Sequence, residues 1–546
     1  MKSKIVTHNL FYPTLIFFIW LITYLISSYF LNQNVEWDEA KYMAIAKGIA
    51  ENLDFSSRAT TVQGLLKYGF PQNTTHYPLH SIYIAIFFKL FGASTKVAFF
   101  STWFSALITC VFIYFIMLLL VENKSFSFLT SMLFLFLPRI INQCNSVMME
   151  IPGCALISVL TYFIFRSILK EKLNPIFLSF ASLLLYFYKS LFIGAVIGIT
   201  SLIYLARNVK KNILISFLLY LITFFLVYII FTKFIFLPLA PWMDFSLSQQ
   251  GVYGAYADFD GGFLKDPLNN SINSLKLLWQ IITSGYFPSI PVDLDEKTIT
   301  GCYVTSPIWL ETGLYFLALF YVIAFTFFSR KKLARIQKLF IWFSLISILS
   351  FNIIFNILIE TNLGPRCRYN LIYVPLLLIS FATLVWINRD CIKKEYRNSS
   401  IFILVTFVLF VYIPVYSAGS KIMSWNKKLM YESAMKNTEI VRKYINNSNP
   451  MFIYFVRGTF VAWNLYPTRE IFMEANSDVI KRLNLFLPKP VEYLFIGIND
   501  SIFKENRELI LKGQPIIDNW YTFLGVDVAN NVVVYKLDQR FYEPKK

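Results

Sequence analysis

Residues 34–51 read NVEWDEAKYMAIAKGIAE and directly follow a long apolar run. Apolar side chains recur at positions 42, 45, 46 and 49, and this spacing predicts an amphipathic helix lying at a membrane surface. Asp38 and Glu39 fall in the first turn of that helix, where the helix dipole favours acidic side chains. They are either solvated first-turn acids or part of the lining of a cavity at the interface.

The composition of the chain is that of a polytopic membrane protein. Of 546 residues, 56% are hydrophobic and 15% are charged, and the mean hydropathy of +0.55 excludes an ordinary water-soluble chain. A bilayer core about 30 Å thick needs about 20 apolar residues per helix. The chain contains about eleven candidate runs, of which the third and fifth are short: 10–30, 96–121, 126–141, 152–169, 174–189, 191–206, 213–232, 307–328, 338–359, 370–387 and 400–417.

Basic residues predict how these helices are oriented. The chain has 50 Lys+Arg against 32 Asp+Glu, a net charge of +18. The first run is too long, and lacks a small-residue cleavage site, to be a removed signal peptide, so we expect a retained helix with a cytoplasmic N-terminus. The loops that are then cytoplasmic carry basic clusters and the short outer loops carry almost none, as the positive-inside rule requires. These clusters are Lys2/Lys4, Lys124, Arg166/Lys170/Lys172, Arg207/Lys210/Lys211, Arg330/Lys331/Lys332/Arg335/Lys338 and Arg389/Lys393/Lys394/Arg397.

The same orientation predicts two domains. Residues 1–417 form a transmembrane domain with large outer loops at 31–95 and 233–306, and residues 418–546 form an extracytoplasmic domain. The composition of this second domain is that of a soluble protein, and its strand-like runs alternate with polar-periodic stretches, which indicates an α/β fold. The strand-like runs are 452–456, 491–498 and 532–537, and the periodic stretches are 477–485 and 504–512.

A second helix is predicted in the first outer loop. Residues 75–92 read THYPLHSIYIAIFFKLFG, and the apolar run after His80 is too short to cross a bilayer. It therefore predicts an interfacial or half-embedded helix. His76 and His80 are four residues apart, so they are either metal ligands on one helix face or, more simply, polar groups of a cavity or surface.

These motifs and their order resemble those of a known superfamily. A W-D-E-A-x-Y helix and a P-L-H-x-Y element between the first two spans are similar to the GT-C glycosyltransferases that use polyprenyl-phosphate sugars. The nearest groups are the protein O-mannosyltransferases and the lipid A aminoarabinose transferases. Three later stretches agree with the family pattern: NSVMMEIP at 145–152, YFYKS at 186–190 and PRCRY at 365–369. The chain has His76-Tyr77 where many aminoarabinose-type relatives have a Glu-Lys pair, and Ser190 where the family has Gly.

The resemblance implies an inverting transfer of a sugar from undecaprenyl or dolichyl phosphate. Asp38 would take the proton of an acceptor hydroxyl, or position the acceptor if that acceptor is an ionised phosphate. Glu39 would orient the acceptor or hold a metal, and Glu150 would complete the acidic site. Lys189, Arg366 and Arg368 would bind the donor phosphate, although each could equally be an interfacial anchor. Residues expected to line the acceptor cavity are Tyr42, His76, Tyr77, His80 and Tyr369.

The expected partners are a polyprenyl-phosphate-linked sugar, membrane lipid and an acceptor outside the cytoplasm, in the cytoplasmic (inner) membrane. The acceptor would be lipid A, an O-antigen or another envelope glycan, or alternatively a protein hydroxyl. No nucleic acid is expected, no cofactor is required, and a divalent metal ion remains an option. The rival class is a lipid or solute transporter, which tends to carry ionisable residues near mid-membrane, whereas these lie at the ends of spans. Neither a GxxxxGK[ST] nor a GxGxxG motif occurs, so bound ATP is not expected as an energy source.

Overall fold

The computed structural model describes residues 10–30, 35, 37–55, 59–61, 79–170, 174–189, 192–205, 213–236, 308–352, 371–389, 432, 435–445, 450, 452–455, 469–472, 475–487, 489–528, 531–538 and 540. The chain divides into two compact units. The helical unit is Met1–Asn32, Phe99–Ile230 and Tyr256–Ser424, and the mixed unit is Gln33–Ala98, Phe231–Ala255 and Trp425–Lys546.

Most of the described chain is helical. The helices, in chain order, are α1 (Phe11–Phe30), α2 (Trp37–Asn52), α3 (Leu79–Phe91), α4 (Thr95–Val121), α5 (Lys124–Leu135), α6 (Pro138–Cys144), α7 (Glu150–Leu169), α8 (Pro175–Tyr188), α9 (Ile193–Leu205), α10 (Ile213–Ile230), α11 (Ile308–Phe328), α12 (Arg335–Asn352), α13 (Val374–Ile387), α14 (435–445), α15 (Ser477–Phe486), α16 (Ser501–Glu505) and α17 (Arg507–Leu511). A π-helical turn, Phe231–Phe236, follows α10, and a 3₁₀ turn, Leu371–Tyr373, precedes α13.

The helical unit has the composition of a membrane bundle. Within the described residues, Phe11–Tyr29, Thr95–Val121 and Glu150–Leu169 are long and apolar enough to cross a membrane. They are accompanied by shorter apolar helices. The predicted span at 126–141 is instead two helices, α5 and α6, with a break at residues 136–137. Pro138 explains the break, because proline lacks the N–H that would continue α5 but is accommodated at the first position of a new helix. The predicted span at 400–417 lies outside the described residues.

Asparagine side chains start two of the helices. Asn123 Oδ1 accepts a hydrogen bond from the Phe126 N–H (2.9 Å) at the start of α5, and Asn174 Oδ1 accepts one from the Ile176 N–H (3.0 Å) at the start of α8. Each bond satisfies an amide that has no partner within its own helix. The short connection between α7 and α8 makes these helices antiparallel neighbours, so the start of α7 lies beside the end of α8.

Two glycines allow α9 and α12 to pack closely. A Cβ atom on Gly194 would overlap Ser347 O and lie 2.9 Å from the Phe351 backbone nitrogen. A Cβ atom on Gly198 would overlap Ser347 Oγ. The GxxxG stretch at 194–198, which predicts helix packing, is confirmed by this contact.

The mixed unit contains a six-stranded sheet. Its strands are β1 (Ala59–Thr61), β2 (Phe452–Phe455), β3 (Arg469–Phe472), β4 (Val491–Gly497), β5 (Tyr521–Asp527) and β6 (Val532–Leu537), in the spatial order β1-β3-β2-β4-β6-β5. The first four in this order are parallel, and β6 and β5 are antiparallel to their neighbours. The strands predicted near 452, 491 and 532 are therefore present, whereas β1, β3 and β5 are strands that the sequence did not predict.

Hydrophobic cores form on the sheet because alternate residues point to opposite faces. Tyr454 and Leu494 belong to one core, which also contains residues of α15. Ile453 and Phe495 belong to the other core, with residues of α14. Burial on both faces explains why β2 and β4 read as continuous apolar runs rather than as alternating ones.

Candidate active site

The predicted acid Glu150 and the predicted lysine Lys189 meet in the helical unit. Glu150 is the first residue of α7, and Lys189 caps the C-terminus of α8. Lys189 Nζ lies 3.9 Å from Glu150 Oε1, and the two side chains are 14% and 1% exposed. They are 39 positions apart in sequence and come together because α7 and α8 run antiparallel.

Both helix dipoles stabilise this ion pair. The carboxylate lies at the positive end of α7, and the ammonium group lies at the negative end of α8. Removing one partner of a buried ion pair leaves an uncompensated charge, which typically costs about 3–5 kcal/mol. The Glu150 carboxylate and the Lys189 ammonium group therefore lie together at the ends of two apolar helices.

A buried amide network holds the segment that leads into Glu150. Asn145 Nδ2 donates to Ser27 Oγ (3.1 Å) and to Ile141 O (3.0 Å), while Asn145 Oδ1 accepts from Trp103 Nε1 (3.2 Å). The Tyr188 hydroxyl donates to Met149 O (3.3 Å), one residue before Glu150. These bonds tie α1, α4 and the end of α8 to the non-helical stretch before α7, so the position of Glu150 is set from several directions.

The 3₁₀ turn that precedes α13 packs one helical turn along α7 from Glu150. Cys154 Sγ donates to Leu371 O (3.1 Å), and Cys154 is four residues after Glu150. A Cβ atom on Gly153 would lie 3.1 Å from Phe192 Cζ, which is a tight contact, and 3.5 Å from Ile372 Cγ1, which is an ordinary one. Arg366, Arg368 and Tyr369, which immediately precede this turn, lie outside the described residues.

The other candidate residues belong to the mixed unit. Asp38 and Glu39 are in the first turn of α2, as predicted; the Asp38 side chain lies outside the described part, and Glu39 is fully buried. The Tyr42 and His80 rings are perpendicular, with centroids 4.7 Å apart, and both side chains are buried. This contact joins α2 to α3. His76 and Tyr77 lie outside the described residues.

The burial of α2 corrects the expectation of an amphipathic surface helix. Residues 39, 40 and 42–46 are all buried, including the charged Glu39, while Lys41 and Lys47 are half-buried. Small residues explain this, because Ala40, Ala44, Ala46 and Gly48 allow α3 to approach closely. Glu39 is therefore a buried carboxylate rather than a solvated one. Among the described residues there is no cluster of three or more His, Cys, Asp or Glu that could hold a metal.

Two residues of the site were not predicted from sequence. Asn145 was noted only as the start of a motif, and Tyr188 only as part of another. The sequence signal for Asn145 is its amide side chain between apolar stretches. A buried amide needs hydrogen-bonding partners, so such a residue is expected to join several elements. The sequence does not reveal which partners these are.

The fold of this chain is similar to that of two solved structures, both of ArnT from Cupriavidus metallidurans. The one bound to undecaprenyl phosphate is 12% identical with a TM-score of 0.54, and the match covers 98% of this chain and 100% of ArnT. The apo structure is 10% identical with a TM-score of 0.50, and the match covers 97% and 99%. Comparison of the sequence with protein families and with curated proteins gives no match.

Proposed function

We propose that this protein is an inverting membrane glycosyltransferase that moves a sugar from a polyprenyl phosphate, undecaprenyl or dolichyl, to an acceptor outside the cytoplasm. The observation that carries the proposal is the buried Glu150–Lys189 pair at the ends of two apolar helices. The fold supports it, because a structure with the same fold, ArnT, has been solved with undecaprenyl phosphate bound. The acceptor class we propose is an envelope glycan, lipid A or O-antigen.

Lys189 is the proposed phosphate ligand. Its 3.9 Å separation from Glu150 is about 1 Å longer than a strong charge-assisted hydrogen bond. A phosphate oxygen can therefore form a shorter hydrogen bond to the Lys189 ammonium group than the Glu150 carboxylate does. As the phosphate leaves the sugar its negative charge grows, so a positioned cation stabilises the transition state more than the ground state.

Arg366 and Arg368 are proposed to add to this cationic site. Leu371 O is held by Cys154, one turn along α7 from Glu150. Arg368 precedes Leu371 by three positions in the sequence. A guanidinium group can bind two phosphate oxygens at once, which an ammonium group cannot do in the same planar geometry.

Asp38 is proposed as the general base for a hydroxyl acceptor. It lies in the first turn of α2, next to buried Glu39. A positioned base contributes about 10²–10⁴ in rate. Attack opposite the departing phosphate would invert the anomeric centre. Glu39, Tyr42 and His80 would then shape the acceptor side of the reaction.

Lys189→Gln tests the donor site. The variant keeps a polar side chain but removes the positive charge, so we expect transfer from a radiolabelled sugar–phosphopolyprenol in proteoliposomes to fall at least about 100-fold. The matched control is Lys170→Gln, at the exposed C-cap of α7. Unchanged transfer by folded Lys189→Gln protein would remove Lys189 from the mechanism. Mass analysis of envelope glycans with and without the chain would identify the acceptor through one lost sugar unit.

A further inference from the structure

Three helix junctions meet at one end of the helical unit. Gln337 Nε2, in the first turn of α12, donates to Leu120 O at the end of α4 (2.6 Å). The Phe126 ring, in the first turn of α5, lies 4.8 Å from the Trp386 ring near the end of α13. These contacts bring together chain reversals that are far apart in sequence.

A third contact completes the arrangement. Asn388 Nδ2 donates to Ser329 Oγ (2.8 Å), which joins the end of α13 to the end of α11. The Gln337 side chain also accepts a hydrogen bond from the Ala334 N–H (2.8 Å), just before α12. The same side chain is therefore bonded to the start of α12 and to the end of α4. The segments 120–126, 329–338 and 386–389 therefore form one continuous surface, which we call the basic junction.

The basic junction is strongly cationic. It contains one acidic residue, Glu122, and its basic residues are Lys124, Arg330, Lys331, Lys332, Arg335, Lys338 and Arg389. All of these except the half-buried Lys124 are exposed. The Arg389 guanidinium lies 3.9 Å from the Trp386 ring centroid, so an aromatic ring orients one of the cations.

Exposed apolar side chains border these cations. Phe328 is 82% exposed and comes two residues before Arg330, and Phe327 and Trp342 pack edge to face with centroids 6.1 Å apart. Aromatic rings beside lysine and arginine are typical of a membrane–water interface. A soluble polyanion could pair with the cations but would have no group to contact the apolar border. A phospholipid presents a phosphate for the cations and an acyl chain for the apolar border.

We propose that the basic junction is a binding site for anionic phospholipids, with Arg330, Lys331 and Lys332 taking the headgroup phosphate and Phe328 contacting the acyl chain. The inference does not rest on the proposed catalytic activity. Anionic headgroups are attracted to basic clusters at the ends of membrane helices, and each basic side chain contributes about fivefold in affinity. The ligand class is therefore a lipid with a net negative headgroup, such as phosphatidylglycerol.

Native mass spectrometry of the full-length protein with phosphatidylglycerol and phosphatidylcholine of identical acyl chains tests the site. Wild type should bind phosphatidylglycerol at least about tenfold more tightly. Replacing Arg330, Lys331 and Lys332 together by Gln should remove most of that preference. The matched control replaces three exposed basic residues of the mixed unit, Lys504, Arg507 and Lys512, by Gln and should retain the preference.

Other outcomes would overturn the proposal. They are equal binding of the two lipids by wild type, an unchanged preference in the junction variant, or an equal loss in the control. If the junction variant does not fold, the salt dependence of lipid binding by wild type is the test. The proposal requires its affinity for phosphatidylglycerol to fall at least about tenfold between 50 and 500 mM salt, and a smaller fall would contradict it. Displacement of the lipid by millimolar inorganic phosphate would show a site for free phosphate and would also contradict the proposal.

Discussion

The packing of α9 on α12 allows a graded prediction from two alanine substitutions. In Gly194→Ala, the new methyl group would meet backbone atoms of Ser347 and Phe351, which cannot move without shifting α12. In Gly198→Ala, it would meet mainly the Ser347 hydroxyl, with Phe343 ring atoms at 3.1 Å. A side-chain clash relaxes more easily than a backbone clash. Since overpacking typically costs about 1–3 kcal/mol, we expect about 3 kcal/mol for Gly194→Ala and about 1 kcal/mol for Gly198→Ala.

A third substitution separates the two clashes. Ser347 Oγ is buried and has no hydrogen-bond partner among the described residues, so Ser347→Ala should cost little by itself. In that background the cost of Gly198→Ala should fall by at least half, because the clashing oxygen is gone. The cost of Gly194→Ala should stay the same within about 0.5 kcal/mol, because its clash is with backbone.

The assay is equilibrium unfolding of the purified protein by SDS in mixed micelles, followed by tryptophan fluorescence. The free energies of unfolding of wild type, the three single variants and the two double variants form two double-mutant cycles. Equal costs for the two glycine variants, or equal relief of both by Ser347→Ala, would refute the assignment of one clash to backbone and the other to a hydroxyl.

Further predictions concern the proposed base, the sheet and the alkaline limit of stability. Asp38→Asn should lower sugar transfer about 10²–10⁴-fold in folded protein, whereas Glu51→Gln, at the exposed end of the same helix, should not; equal activity of both variants would exclude Asp38. Thr60→Pro should speed amide hydrogen exchange in β3, because β1 pairs with β3 and proline cannot serve in the ladder; unchanged exchange would argue against the pairing. Burial raises the pKa of Tyr535 to about 12 from its usual 10. Its stabilising contribution is therefore complete below pH 10 and lost between pH 10 and 12. Tyr535→Phe should flatten the dependence of the unfolding free energy on pH over that range, and an unchanged slope would contradict this.

Several elements follow from local sequence. The helices follow from runs of apolar residues, and their starts from Asn123, Asn174 and Pro138, since capping depends only on neighbours in the chain. The strands near 452, 491 and 532 follow from short apolar runs. The GxxxG stretch indicates close helix packing because small residues permit it.

The contacts that define the site do not follow in this way. Glu150 and Lys189 could each be recognised as a candidate, but their ion pair exists because α7 and α8 are antiparallel neighbours. The partners of Asn145 come from α1, α4 and α6, and no local pattern specifies them.

Burial of α2 and the joining of β1 to the sheet are equally non-local. Residues 37–52 read as a two-faced helix, yet residues 39, 40 and 42–46 are all buried. The strand Ala59–Thr61 is too short to be recognised, and it exists through its pairing with β3, about 410 positions later. The sequence by itself therefore determined which segments are helix or strand and which side chains could react. Only the tertiary structure decided which of these side chains meet, because a contact between distant residues depends on how whole elements pack rather than on the residues beside them.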